Sequence, residues 1–375
     1  MANRLIPMRD DEVASRVLDH IANGTTDMGD EVWREPVANY RSEARLELER
    51  RLLRRFPQAF CPSAALPDVG SYIARESAGV PIVVVRGEDR AVRAFRNVCR
   101  HRGMRVANDA GCARALVCGY HGWAYGLDGR LRAVPHEHGF PGLDKSRHGL
   151  ASIRAEERHG IVFVTIDEAA PDSELGDLPT LIAADQQMMR TVTRDTETNW
   201  KISLEGFIEG YHIRATHPES FYPYGFDNLN VVETFGRHSR VTYPFQRIRK
   251  LENVPPAERK VMGLVTYVYH IFPNALVTML SSHTNLVVLD PIAIDRTRSV
   301  NYTLTNGGTD AAQSLAAAKR DAEFVGNTGA AEDRAVVEAI QRGIASGAND
   351  VFTFGKFESA IVHFHKTLDA ALARV

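Results

Sequence analysis

Four side chains in two short loops carry the first chemistry legible in the chain. Cys99-Arg-His101 and Cys118-Gly-Tyr-His121 are separated by 16 residues, and each sits in a glycine-containing loop, CRHRG and CGYHGW. Two loops that each offer one thiolate and one imidazole suit a Rieske-type [2Fe–2S] centre, with Cys99 and Cys118 on one iron and His101 and His121 on the other. Exchanging two thiolates for neutral imidazoles removes negative charge and raises the reduction potential, which suits a cluster that accepts electrons and passes them on. The same ligand types serve a structural zinc site, although a CxH pair is unusual among zinc knuckles. Cys112, between the loops, and Cys61 read as small buried residues.

A second constellation lies in NWKISLEGFIEGYHIRATH, residues 199–217. On a helix at about 100° per residue, Glu205, Glu209 and His212 share one narrow face. Leu204, Phe207, Ile208 and Tyr211 cover much of the rest, so 204–212 reads as a largely buried helix with a polar stripe. Two carboxylates and an imidazole are costly to bury unless they bind a metal or each other. Pro218 disfavours helical geometry at His217, so the helix distorts or ends between His212 and His217 and lets both rings converge on one ion. Two histidines and one carboxylate with open positions are the signature of O2-activating non-haem Fe(II). The carboxylate is Glu209 or a residue far along the chain. In an expected helix over 330–345, Val337, Ile340 and Ile344 form an apolar stripe with Asp333 at its centre, whereas Glu332 and Glu338 project off it towards solvent. An acid on an apolar face needs a partner such as a metal; the macrodipole at a helix N-terminus accounts for Asp333 equally well.

The elements that position these groups follow from the pattern around them. The first 50 or so residues read as polar and helical, and 42–55, crowded with Arg and Glu, as a solvated helix. From Val80 the pattern changes to short β-type runs, PIVVVRG and RAVRAF. Asp128-Gly129 signals a hairpin turn, GIVFVTI closes this all-β stretch, and the acidic segment 167–177 reads as a linker. Strands follow over 230–302, then a helical tail from 310. The most apolar window, 263–280, contains His270, Pro273 and Asn274 and reads as two buried strands around a turn, not a membrane span. Phe221, Tyr222, Tyr224 and Phe226 either line a pocket, even one that cages a quaternary amine, or pack as ordinary core. His136, His138, His363 and His365 read as surface residues without a special role.

The chain of 375 residues is long enough for two domains. It is 44% hydrophobic and 25% charged, and its net charge of -2 gives no footprint for nucleic acid or an anionic membrane. The N-terminal residues lack the apolar run of a secretory signal, so the expected location is the cytoplasm. There, clustered cysteines favour metal binding over disulfides.

Together these segments resemble the large (alpha) subunits of Rieske non-haem iron ring-hydroxylating oxygenases. The resemblance runs from about Val80 to Gly347, through NVCRHRG, CGYHGWAYGLDGRL, NWK, EGFIEGYHIRATH and AEDRAVVEAIQRG in the family's order. It implies an α+β protein with an N-terminal helical segment (1–50), an all-β Rieske [2Fe–2S] domain (51–167) and an α+β catalytic domain (168–375). The last is expected to hold a curved antiparallel sheet with helices, of the helix-grip or SRPBCC-like kind. The resemblance implies that Cys99, His101, Cys118 and His121 hold the cluster and that His212, His217 and Asp333 hold a mononuclear Fe2+. Glu209 aligns with the acidic residue that links an iron-ligand histidine to a cluster-ligand histidine of the neighbouring subunit, here His212 to His121, so the implied working form is a homotrimer. The family's usual CPYH is CGYH here, and the bridge is Glu where dihydroxylating dioxygenases usually have Asp. The Glu205-to-Glu209 spacing is similar to that of choline and carnitine monooxygenases. The implied activity is O2-dependent hydroxylation or demethylation of a small aromatic or amine substrate. A separate NAD(P)H-dependent reductase, with or without a ferredoxin, is expected, since no nucleotide-binding glycine-rich fingerprint is evident. The alternatives are a cis-dihydroxylating dioxygenase alpha subunit with a separate small subunit and, of another class, a non-enzymatic zinc-ribbon binding module.

Overall fold

The computed structural model describes residues 7–306 and 311–375. The chain divides into two compact units, one formed by residues 53–173 and the other by the segments before and after it.

The inserted unit is built on a seven-stranded antiparallel sheet. Its spatial order is Gln58–Pro62, Ile161–Thr165, Ser152–Arg158, Val92–Arg96, Val80–Arg86, Ser71–Ser77 and Ala110–Cys112. A three-stranded sheet of Leu116–Val117, Ala124–Tyr125 and Leu131–Ala133 packs against it, with Val83, Val85, Phe95, Trp123 and Tyr125 forming the shared core. The expected turn at Asp128-Gly129 is present. Gly129 adopts φ +78°, and a Cβ there would lie 2.4 Å from the Phe95 ring, so glycine is needed for both backbone and space. Cys61 is buried, but Cys112 is exposed at the end of an edge strand, contrary to its reading as a core residue.

The second unit is centred on a curled seven-stranded antiparallel sheet. Its order is Met188–Thr196, Arg296–Thr305, His283–Ala293, Ala275–Met279, Val265–Ile271, His238–Pro244 and Val231–Phe235. The 263–280 window forms two of these strands, as expected. Helix α1 (Asp10–Asn23) packs Val13, Ala14 and Val17 against Val231, Ile248 and Val265. Helix α2 (Glu43–Arg55) is not simply solvated, because it buries Leu46, Glu49 and Leu52. The charge of Glu49 is tolerated there because Lys201 Nζ and Trp200 Nε1 donate to it at 2.7 and 2.8 Å.

Two short helices, α3 (Trp200–Glu205) and α4 (Ile213–Thr216), follow in the metal-binding segment. The tail is helical but interrupted: α5 (Ala311–Phe324) runs through a π turn at Val325–Gly329 into α6 (Ala330–Ile344), and α7 (Ser359–Leu372) closes the chain. Position 310 lies outside the described residues. Between α6 and α7 an unforeseen strand, Val351–Phe354, pairs with Trp33–Pro36. Among the described residues no helix is long and apolar enough to cross a membrane.

Candidate metal centres

The two cysteine–histidine loops share one backbone plan. The N–H of Cys99 donates to Met104 O and that of Gly103 to Cys99 O; likewise Cys118 donates to Trp123 O and Gly122 to Cys118 O, all at 2.8–3.0 Å. Gly103 and Gly122 both take positive φ, +83° and +72°, which closes each loop over its cysteine. The thiols of Cys99 and Cys118 are buried, while His121 is exposed and His101 half-buried. The two imidazoles lie 4.7 Å apart between centroids, and His101 stacks on Trp123. Tyr125 holds its hydroxyl 3.3 Å from Cys99 Sγ and accepts the Arg100 N–H. Buried thiols on one side and outward imidazoles on the other are the donor set a two-iron cluster requires. His136 and His138 are exposed, as read from sequence.

In the second unit His212, His217 and Asp333 offer ligand atoms all within 4.8 Å of one another. Asp333 Oδ1 stands 2.8 Å from His217 Nε2 and 3.6 Å from His212 Nε2. The expected helix over 204–212 is absent. Asn199 caps α3 by accepting from Lys201 N–H, and the helix stops at Glu205, where Gly206 and then Gly210 weaken helix propensity. Glu209 uses its side chain instead, accepting from the N–H groups of Tyr211 and His212, a local bond that competes with helix. His212 and His217 then stand at the two ends of α4, and their rings converge at 5.3 Å.

Only part of the foreseen polar stripe reaches this centre. Glu209 is bonded to His212 Nδ1. Glu205 turns away into a buried cluster, accepting from Tyr40 Oη at 2.7 Å and lying 2.9 Å from His365 Nε2. His365, expected at the surface, is therefore a core residue only 1% exposed. Glu332, expected in solvent, faces His217 Nδ1 at 2.7 Å. Within α6, a regular helix, Glu332 lies about 100° round from Asp333, yet both reach His217, one at each ring nitrogen. Ile340 of the expected apolar stripe is exposed, whereas Val337 and Ile344 pack with Val37, Tyr40 and Ile202.

The electrostatics of this group suit a cation. Burial opposes protonation of His212, but bonds to Asp333 and Glu209 outweigh it and push its pKa up to about 10. Burial likewise opposes protonation of His217, and Asp333 and Glu332 overcome it. For Asp333 burial favours the neutral acid, yet the two imidazoles hold it below its ordinary value. A cluster of acids that draws protons onto two histidines is one in which a divalent ion can replace those protons. The residues fit the group.

The triad opens onto a cavity of about 810 Å³. Phe221, Tyr224 and Phe226 line it; Tyr222 does not. Phe221 lies 4.7 Å from His217 between ring centroids, and its other side meets Gly329, where a Cβ would fall 2.0 Å from the Phe221 ring. Glycine at the end of the π turn thus lets α6 approach closely enough to deliver Asp333.

Comparison with known proteins gives the same two-part picture. Residues 184–374, just over half of the chain, match the family described as ring hydroxylating alpha subunit (catalytic domain), and residues 56–147 match the Rieske [2Fe-2S] domain. The carnitine monooxygenase oxygenase subunit of Escherichia coli (strain K12) is 28% identical over 365 residues, covering 90% of this chain and 93% of that protein. Biphenyl dioxygenase subunit alpha of Paraburkholderia xenovorans (strain LB400) is 37% identical over 171 residues, 40% of this chain and 37% of that protein. The crystal structure of the quaternary ammonium Rieske monooxygenase CntA with L-carnitine shares the fold, with a TM-score of 0.74 at 23% identity over 92% of this chain and 96% of that one. The chain therefore belongs to the ring-hydroxylating alpha subunits, the oxygenases whose cofactors are a Rieske [2Fe–2S] cluster and a mononuclear iron.

Proposed function

We propose that this chain is the terminal component of a monooxygenase that hydroxylates or oxidatively demethylates a small organic substrate, aromatic or amine. The observation that carries this reading is the two-histidine, one-carboxylate group opening onto an apolar-walled cavity. Monooxygenation is favoured over cis-dihydroxylation because the carnitine monooxygenase subunit aligns over nearly the whole chain, the biphenyl enzyme over less than half.

In this reading Cys99, Cys118, His101 and His121 hold the cluster, and His212, His217 and Asp333 hold the iron. When bound, the cluster supplies one-electron transfer and the iron supplies O2 activation. The protein's own contribution is positioning. Glu209 and Glu332 fix the orientation of the two imidazoles through their Nδ1 atoms. The Tyr243 hydroxyl donates to the carbonyls of Phe207 and Glu209 at 2.9 and 3.1 Å and fixes the backbone that carries Glu209. Phe221, 4.7 Å from the His217 ring, sets an apolar face beside the metal group.

Alpha subunits of this family take electrons from a separate reductase and form multimers. Here we place NAD(P)H as the ultimate donor, a homotrimer as the assembly, Glu209 as the link from His212 to His121 of an adjacent copy, and the cytoplasm as the compartment. The test is a substrate screen with a surrogate reductase that follows O2 uptake against formaldehyde release and product structure. A single inserted oxygen atom, or formaldehyde in step with O2, supports the reading. An arene cis-diol as sole product replaces it with the dioxygenase alternative.

A further inference from the structure

The end of the cavity away from the metal group has an unusual charge inventory. The charged side chains that line it, besides the metal group and Glu209, are Arg247, Arg320 and Asp321. Asp321 is already engaged, accepting from Ser282 Oγ at 2.6 Å and lying 3.1 Å from His283 Nδ1. Arg247 lies flat on Phe245 and spends its N–H groups on neutral acceptors, Gly263 O at 2.7 Å and Ser281 Oγ at 2.8 Å. Among the described residues Arg320 makes no ion pair or hydrogen bond, and Arg247 makes no ion pair, although, against burial and alongside His283 and Ser282, its charge helps hold the Asp321 carboxyl below its ordinary value. Each acid on the cavity wall is committed, while two guanidinium groups keep donors to spare.

The placement of Arg320 is dictated by its helix. Ala317, Arg320, Asp321 and Phe324 fall at i, i+3, i+4 and i+7 on α5, one face, and all four line the cavity. Phe324 meets Phe221 edge to face at 6.1 Å, and Phe221 meets His217. Arg320 therefore sits one helical turn, about 6 Å along the axis, beyond the aromatic wall that flanks the metal group. Arg247 joins the same end through Ser281, the neighbour of the Ser282 that holds Asp321.

We infer that the substrate is a carboxylate: an apolar body against Phe221 and Phe324, with its anionic head on Arg320 and Arg247. This deepens the oxygenase reading and rests on it. A guanidinium fork matches a carboxylate in shape and charge, and both arginines are exposed, so the head group would be held at the solvent side of the cavity and keep part of its hydration. The same head group can belong to an aromatic acid or to a betaine, whose cationic end would meet the aromatic rings.

The experiment is calorimetric titration of the holoenzyme with two matched pairs, 4-methylbenzoate against 4-methylbenzamide and glycine betaine against choline. At least one carboxylate should bind about tenfold or more tightly than its partner, and which pair shows it identifies the body. Arg320→Ala and Arg247→Ala should each weaken that carboxylate about tenfold and leave the partner unchanged, with Arg320→Lys recovering part of the loss. Equal affinities within both pairs, no binding of either carboxylate at millimolar concentration, or unaltered carboxylate affinity in both alanine variants overturns the inference. Iron content and O2 uptake with a chemical reductant, measured on the same preparations, report on the oxygenase reading separately. Their failure with carboxylate selectivity intact sinks that reading and not the head-group assignment.

Discussion

The Nδ1 of His217 lies 2.7 Å from Oε2 of Glu332, and the hydroxyl of Ser220 donates to the same oxygen at 2.6 Å. With Glu209 on Nδ1 of His212, each imidazole of the candidate iron site is backed by a carboxylate, which leaves Nε2 to face the metal. Glu332→Gln should lower iron affinity about 10–100-fold while the cluster absorbance stays intact. Iron per chain after dialysis against a graded chelator checks this. Equal retention by the variant would reduce Glu332 to a surface acid.

Asp333 and Glu209 should separate binding from turnover. Asp333→Ala removes the one carboxylate shared by both histidines and should cost the mononuclear iron but not the cluster. Glu209→Gln keeps the size of the side chain and should retain both metals yet lose most of its turnover. Metal analysis beside steady-state O2 uptake distinguishes the two. Full iron occupancy in the Asp333 variant would place the third ligand elsewhere, and normal turnover in the Glu209 variant would remove it from the relay.

His270 makes the fold acid-sensitive. It is fully buried between Phe272 and Phe364, with the Pro273 carbonyl 3.3 Å from Nε2. Burial pushes its pKa down to about 3 from 6.5. The folded state thus binds fewer protons than the unfolded state between those values, so the stability is complete above pH 6.5 and drains away as pH falls towards 3. Going from pH 7 to pH 5.5 should cost about 1 kcal/mol through this residue. His270→Leu should lose that increment, as read by urea melts at the two pH values. An unchanged pH slope would mean that the imidazole is protonated in place.

The Lys201–Glu49 pair, with both side chains at 0% exposure, makes a stability prediction. Lys201→Met removes one of the charge-assisted bonds to buried Glu49, leaving Arg45 Nε at 3.2 Å and Trp200 Nε1 at 2.8 Å, and should destabilise the unit by about 1.5–3 kcal/mol. Adding Glu49→Leu should recover much of the loss, because two well-packed apolar groups need no partner. Chemical denaturation of the single and double variants tests it, and a harmless Lys201→Met would show that Arg45 and Trp200 suffice to hold Glu49.

Residue type and spacing revealed most of the chemistry, because thiolates, imidazoles and acids in short motifs have few alternative uses. The loop pairs, the two histidines and Asp333 come together where the motifs imply. Geometry within the segment was less legible. Glu205 and Glu209 look equivalent on an ideal helical wheel, yet Gly206 and Gly210 end the helix and send Glu205 to Tyr40 and His365 instead. Gly210 was the available signal. Glu332 looks solvent-facing on the helical wheel because the group that engages it, His217, lies 115 residues away and leaves no local pattern. The strand Val351–Phe354 escaped notice because its partner lies at the far end of the chain, beyond any local pattern.

That strand has a bearing on how the protein is made. Trp33 sits opposite Phe354, so the outer unit needs both ends of the polypeptide, whereas residues 53–173 have every strand of their sheet in hand as soon as they leave the ribosome. At about 5–20 residues per second, roughly 10–40 s separate the two moments. During that interval Trp33–Pro36 has no strand to pair with, since Val351–Phe354 is its one partner among the described residues. A chain cut before Val351 would lack the strand that pairs with Trp33–Pro36.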